Sequence, residues 1–357
     1  LDKFNEKFNM INHLHFPFVS IIIPCRNEER FIKNCLDSLL NQNYPKDKME
    51  ILVVDGMSND KTREIIKEIK NKNSKPDIYL IDNHQKFTPF AFNIGFKKSK
   101  GDIIVRCDAH SEYDKNYIKK IVSWLVKDKK IGNVGGVWIN KPSSDNLKAR
   151  AIAFTLEHFF CVGPNKYRTG VKDVREVDTV PFGAWRRELF NKIGLWNENF
   201  LRAEDLEFNV RIKKAGYKII LDPEIKIYYY PRENFLKLFK TMFQYGYWKN
   251  YVNKELKVIS SFRQIIPPLF VLYLLLAIIF SFISFWLWAP FIFYLVLSLL
   301  FSLDISFKHN DFKILPFSFW TFITSHIGYG LGYLKGVLDV WILKKQRPNK
   351  KQFEITR

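Results

Sequence analysis

From Ile265 to Leu303 the chain carries no charged side chain, and no other feature constrains its fold as strongly. About 20 apolar residues suffice for one helix to cross the hydrocarbon of a bilayer, so the run predicts two closely spaced spans. The segment "FWLWAP" around Pro290 is the expected turn between them. A further uncharged stretch from Ile314 to Leu334 is long enough for a third span, with a re-entrant or interfacial segment as the alternative. Here Gly328, Gly332 and Gly336 recur every four residues, fall near one helical face and let another helix approach closely. His326 reads more readily as a hydrogen-bonded structural histidine than as a functional group. A hairpin returns the chain to its starting side, so a true third span would put the basic tail "KKQRPNK" outside, against the positive-inside tendency.

The formal net charge of +20 would ordinarily raise nucleic acid as a partner. Its placement argues otherwise. Lys237, Lys240, Lys249, Lys254, Lys257 and Arg263 precede the apolar region, and Lys344, Lys345, Arg347, Lys350 and Lys351 follow it. Anionic membrane lipid, or a lipid diphosphate, accounts for that distribution, and no nucleic-acid module is visible. Between Glu233 and Tyr251, Phe235, Phe239, Met242, Phe243, Tyr247 and Tyr251 recur at helical spacing with lysines between them. That pattern fits an amphipathic helix on the membrane surface, or an ordinary helix packed on a soluble core. Residues 1 to 16 contain charges and no apolar core, so no secretory signal is expected and the enzyme-like part belongs on the cytoplasmic side of a multi-pass cell-membrane protein. Cys25, Cys35, Cys107 and Cys161 show no metal, redox or disulfide spacing.

The first half alternates two periodicities. "FVSIIIPCRN", "MEILVVD", "DIYLID" and "DIIVRCD" are short apolar runs of strand character. The segments between them, "EERFIKNCLDSLLNQ", "KTREIIKEIKN" and "PFAFNIGFKKSKG", have helical spacing. Asn59 or Asp60 is placed to cap the second helix. The series predicts an α/β fold, a mostly parallel mixed sheet with helices on both faces, whose ligands bind beyond the carboxyl ends of the strands. Asp55, Asp82 and Asp108 lie at those ends. Neither GxGxxG nor GxxxxGK[ST] occurs, which removes the main support for a nicotinamide enzyme or a P-loop. In "RCDAHSEYD", Asp108 and His110 are spaced to share a divalent cation, Mg²⁺ or Mn²⁺, and to present it to a diphosphate. A strand-end carboxylate is also a common turn former or helix cap.

"VSIIIPCRNEERFIKNCLDSLLNQ", "EILVVDGMSNDKT", "FNIGFKKSKGDIIVRCDAH" and "FLRAEDLEFNVRIKKAGYKI" together resemble glycosyltransferase family two, of the GT-A fold, and its exopolysaccharide branch typified by succinoglycan synthesis. The resemblance runs from about Val19 to Trp248. It implies that Asp55 contacts the nucleotide base, that Asp108 is the first aspartate of the metal motif, and that Pro24, Arg26 and Glu28 line the nucleotide side. It further implies that Asn93 shapes the donor pocket and that Asp205 is the general base, with Glu204 beside it. Two positions depart from the pattern: His110 stands where many relatives carry aspartate, and Tyr247 takes the arginine place in "QYGYW", which argues for single-sugar transfer.

The chemistry stands without the resemblance. Displacing a nucleoside diphosphate from an anomeric carbon requires charge neutralisation on the leaving group and a base for the attacking hydroxyl. Glu204 and Asp205 open a run read as a helix ending at Gly216, where acidic residues are also ordinary decoration of a helix N-terminus. Trp185 is a candidate to stack on a sugar face or to pack in the core, and Gln244 and Trp248 join it as acceptor-side candidates. Arg186 and Arg187 are candidate diphosphate holders.

The expected organisation is an extension over 1–16, a catalytic domain over 17–232, amphipathic interfacial helices over 233–263, a membrane region over 264–343 and a basic tail over 344–357. The expected activity is metal-dependent, inverting transfer from a nucleotide-diphospho-sugar to a lipid-linked or glycan acceptor. The competing class is a catalytically silent scaffold of the same shape.

Overall fold

The computed structural model describes residues 16–257 and 262–345. The extension, Arg263's side chain and most of the basic tail lie outside what can be described.

Four parallel strands, β1 (Val19–Cys25), β2 (Met49–Asp55), β3 (Asp77–Asp82) and β4 (Ile103–Arg106), run in the order β3-β2-β1-β4. Helices α1 (Ile32–Leu40), α2 (Thr62–Lys72) and α3 (Thr88–Lys98) connect them. Their β-branched runs are buried on both faces, as parallel strands covered by crossover helices must be. Asp60 accepts from the Thr62 N–H and hydroxyl at the start of α2, as the turn sequence predicts.

Beyond β4 the sheet becomes mixed. β5 (Ser111–Tyr113), β6 (Ile131–Asn140), β7 (Arg175–Glu176), β8 (Ala184–Arg186) and β9 (Lys218–Tyr229) extend the order to β8-β6-β9-β5, with β7 also on β9. β8 is antiparallel to both neighbours, whereas β6 and β9 are parallel. The parallel half is therefore the part that the alternating pattern made legible. Gly183, just before β8, seats the chain against Asn133, whose Oδ1 would lie 2.0 Å from an added Cβ. α4 (Tyr117–Lys127), α5 (Leu147–Thr155), the single-turn α6 (Phe159–Val162) and α7 (Lys166–Thr169), α8 (Arg187–Ile193) and α9 (Glu204–Lys214) complete this part.

The C-terminal part is helical: α10 (Phe235–Leu256), α11 (Ile266–Ile279), α12 (Ala289–Lys308) and α13 (Leu315–Val337). α10 takes the second of the two forms its pattern allowed, a helix packed on the protein core. Leu238, Met242, Tyr247, Trp248, Tyr251 and Val252 are buried, packed against the catalytic domain and α13. The glycine repeat makes this possible: a Cβ on Gly332 would sit 2.0 Å from the Phe243 carbonyl oxygen, and one on Gly336 2.7 Å from that of Tyr247.

Among the described residues one helix, Phe285–Lys308, is long and apolar enough to cross a membrane. The two-span expectation is corrected for the first member. α11 has 14 residues, so at about 1.5 Å per residue it falls well short of a roughly 30 Å hydrocarbon core. Pro290 lies in the first turn of α12, where its missing N–H is harmless, and the reversal comes earlier, over 280–288. Phe282 and Trp286 at that reversal are more than four-fifths exposed, and α11 and α12 present a continuous apolar exterior. His326 is structural as read: Nδ1 pairs with the Tyr294 hydroxyl at 2.9 Å and Nε2 with the Phe160 carbonyl at 2.8 Å.

Candidate active site

The loop after β1 is fastened to the loop after β2. Asn27, at φ +52°, donates its N–H to the Ser58 hydroxyl, Glu28 donates to Thr62 Oγ1, and Asn59 donates to Asn27 Oδ1. This fixes Glu28, which is 6 % exposed, with Oε1 3.0 Å from His110 Nδ1. A hydrogen on Nδ1 would satisfy Glu28, and the other ring nitrogen, Nε2, faces Asp108 Oδ2 at 3.7 Å.

Arg106, the last residue of β4, is the site residue that motif reading missed. Its buried guanidinium lies between the rings of Phe182 and Trp196, 5.2 and 5.1 Å from their centroids. Nη2 donates to Asp108 Oδ1 at 3.0 Å and lies 3.7 Å from Glu204 Oε1. One buried cation thus ties the strand-end aspartate to the start of α9. The only sequence signal was an arginine in an otherwise apolar strand, a charge that must find partners once buried.

Ala203 immediately precedes α9 in the left-handed region at φ +59°, a conformation that costs a non-glycine residue about 1 kcal/mol or more. It turns Glu204 and Asp205 into the cavity. Burial pushes the Glu204 carboxyl up to about 7, outweighing the opposing pull of Arg106. Asp205 is less buried, and its Oδ1 accepts from the Leu206 N–H at 2.8 Å.

Pro24, Arg26, Glu28, Asp108, His110, Glu204 and Asp205 therefore line one cavity of about 660 Å³. Other expected site residues lie outside its wall. Asp55 is fully buried, accepting from the Ser58 N–H and from Arg63 Nη1 at 2.6 Å, and Arg63 bridges it to Asp82 at 2.7 Å. Its strand partner Cys25 does reach the wall. Asn93 acts one layer back: its side chain donates to the Trp196 carbonyl and Glu198 and accepts from the Trp196 N–H, tethering the segment before α9.

Trp185 corrects the sugar-stacking alternative. It is 2 % exposed and packs edge-on against Phe92, Phe190, Trp196 and Phe208, where no sugar can reach. Trp248 is likewise interior, against Phe200 and Tyr251. Gln244 is buried and meets the cavity through Arg202, whose Nε donates to its Oε1 at 3.0 Å. Arg186 and Arg187 are staples rather than diphosphate holders: Arg186 donates to the carbonyls of Leu125, Lys129 and Ile131, and Arg187 to Gly101 and Ser99.

Among the described residues no group of three or more His, Cys, Asp or Glu side chains forms a ready-made metal cage. Within the cavity Asp108 and His110 offer a facing oxygen and nitrogen.

Residues 20–194 match the family described as glycosyl transferase family 2. The chain is 33 % identical over 234 residues, 64 % of its own length and 72 % of the relative's, to dolichyl N-acetyl-alpha-D-glucosaminyl phosphate 3-beta-D-2,3-diacetamido-2,3-dideoxy-beta-D-glucuronosyltransferase of Methanococcus voltae. It is 28 % identical over 252 residues, 69 % of its length and 73 % of the relative's, to succinoglycan biosynthesis protein ExoA of Rhizobium meliloti. In fold it is similar to mannosyltransferase PcManGT from Pyrobaculum calidifontis, solved with GDP-Man and Mn²⁺, with TM-score 0.65, 19 % identity, and coverage of 91 % of this chain and 88 % of that one. With this sheet order, strand-end aspartate and α9 carboxylates, the chain belongs to glycosyl transferase family 2, with the GT-A fold and an exopolysaccharide-type branch.

Proposed function

We propose that this glycosyltransferase moves a sugar from a nucleotide-diphospho-sugar to a lipid-linked acceptor at a membrane surface, with inversion at the anomeric carbon. The observation that carries the reading is the Asp108–Arg106–Glu204 linkage, which ties the strand-end aspartate to the start of α9, where the candidate base Asp205 lines the same cavity.

Asp108 Oδ2 and His110 Nε2 are two acceptors facing each other, a donor pair that fits a divalent cation, with Mn²⁺ better suited than Mg²⁺ to an imidazole. Such an ion would supply charge neutralisation to the leaving diphosphate. Glu28 holds the imidazole in the required tautomer. Pro24 and Arg26 line the nucleotide end, with Asp55 behind them. Asp205, at the cavity wall, accepts the proton of the attacking hydroxyl, and one base with in-line attack inverts the centre. Arg106 orients Asp108 and Glu204 against each other, keeping both ends of the reaction in register.

The names of the relatives support the substrate class: one acts on a dolichyl phosphate sugar, another serves succinoglycan biosynthesis. The apolar exterior of α11 and α12 supports membrane anchoring, with the catalytic domain on the cytoplasmic side, where nucleotide sugars are made. A second pass by α13 or α11 is not needed for that role.

Asp108→Ala tests the metal-facing assignment. Donor affinity and dependence on added Mn²⁺ should weaken together in an equilibrium nucleotide-binding titration. An unchanged Mn²⁺ titration would remove the ion from this pair.

A further inference from the structure

The cavity continues past the carboxylates. Arg168, Arg202 and Tyr245 also line it, as do Phe160, Phe270 and Tyr294 and, on α11, Ile266. Its acidic lining residues, Glu28, Asp108, Glu204 and Asp205, all belong to the donor and base end. Its other charged lining residues are cationic, and apolar residues of the C-terminal helices complete the wall.

Arg168 is the feature that points to an anionic ligand. The residue is 7 % exposed, its guanidinium lies 4.4 Å from the centroid of Trp138 and 5.9 Å from that of Tyr229, and Nη1 has no hydrogen-bond partner among the described residues. No carboxylate pairs with it there: burial opposes its charge, and the phenols of Tyr167, Tyr245 and Tyr229 favour it, Tyr167 through a hydrogen bond as well. The buried cation therefore has no formal counter-charge beside it, which an entering anion would supply.

Its position separates it from the donor's cation pair. His110 packs against Tyr229 at 5.3 Å, Tyr229 stacks on Trp138 at 4.2 Å, and Arg168 lies beyond both rings. The same short segment carries Phe160, whose carbonyl holds His326 and whose ring packs on Tyr294 and Phe301 of α12. Arg168 thus stands where the polar chamber gives way to the apolar helices. At the far end, Ile266 and Leu269 are exposed on the outside of α11.

Resting on the glycosyltransferase reading, we infer that Arg168 is the anchor for the phosphate of a polyprenyl-type acceptor, whose chain leaves the cavity along α11 and whose sugar hydroxyl reaches Asp205. Guanidinium suits the task because its planar fork matches phosphate oxygens while its face stays on Trp138. Arg202 on the same wall is positioned by Gln244, so α10 takes part in setting the pocket.

The test uses the full chain in nanodiscs, titrated separately with farnesyl phosphate, farnesol, inorganic phosphate and a nucleoside diphosphate. Wild type should bind farnesyl phosphate more tightly than either farnesol or inorganic phosphate. Arg168→Met should weaken farnesyl phosphate by roughly tenfold to a hundredfold and leave the nucleoside diphosphate unchanged. Arg168→Lys, which keeps the charge without the fork, should fall between the two. Unaltered farnesyl phosphate affinity in Arg168→Met overturns the assignment. So does a parallel loss of nucleotide affinity, which would place Arg168 on the donor, or equal binding of inorganic and farnesyl phosphate, which would leave the apolar corridor without a role. Failure of wild type to bind any nucleoside diphosphate would instead sink the glycosyltransferase reading itself.

Discussion

Glu204 carries a consequence for pH. Burial lifts its carboxyl from 4.5 to about 7, so between those values the folded protein holds a proton that the unfolded chain has released. The stability this contributes is complete below the unfolded value and is lost as pH rises through about 7. Melting temperatures from about pH 5 to about pH 8 should therefore decline in wild type and decline less in Glu204→Gln. Parallel slopes would contradict the shift. At this scale the sequence was legible where a motif fixes a side chain at a strand end or helix start, as for Asp108, His110 and Asp205. It was ambiguous for Trp185, because an aromatic near a glycine looks the same whether the chain turns its ring toward a sugar or toward Phe92 and Phe208. Arg106 and Arg168 belong to no motif, and their importance comes from burial, which only the fold reveals.

Among the elements, the join between α10 and α13 is the most exacting. Gly332 approaches the Phe243 carbonyl so closely that backbone, rather than a yielding side chain, would have to move for any Cβ. Gly332→Ala should destabilise by about 1 to 3 kcal/mol, read as a lowered melting temperature in detergent. Because α10 carries Gln244 and Tyr245, acceptor affinity should fall with it while nucleotide affinity holds. A wild-type melting temperature would mean that the two helices are not held at this spacing. The four-residue glycine period announced a close approach, and the alternating strands and helices announced β1 to β4. What the pattern left ambiguous was the partner of α10, since lysines interleaved with aromatics suit a lipid surface and a protein groove equally. The antiparallel insertion of β8 was also hidden, being only three residues long.

For the whole molecule, residues of the α/β domain, of the packed pair α10 and α13, and of the apolar helices α11 and α12 line a single cavity, so the proposed donor site, base and acceptor exit would be parts of one chamber. Hydropathy alone found the apolar helices but not their lengths, because an uncharged run has no mark for where a short helix ends and a turn begins. The central claim is that Asp205 removes the proton of the acceptor hydroxyl in this chamber. Its most direct test is the transfer rate of Asp205→Asn beside wild type, measured as sugar incorporated into lipid-phosphate acceptors from a panel of nucleotide sugars, with nucleotide affinity determined on the same preparations. Transfer should drop by about 100-fold or more while nucleotide affinity stays close to wild type; turnover at the wild-type rate by Asp205→Asn would contradict the account.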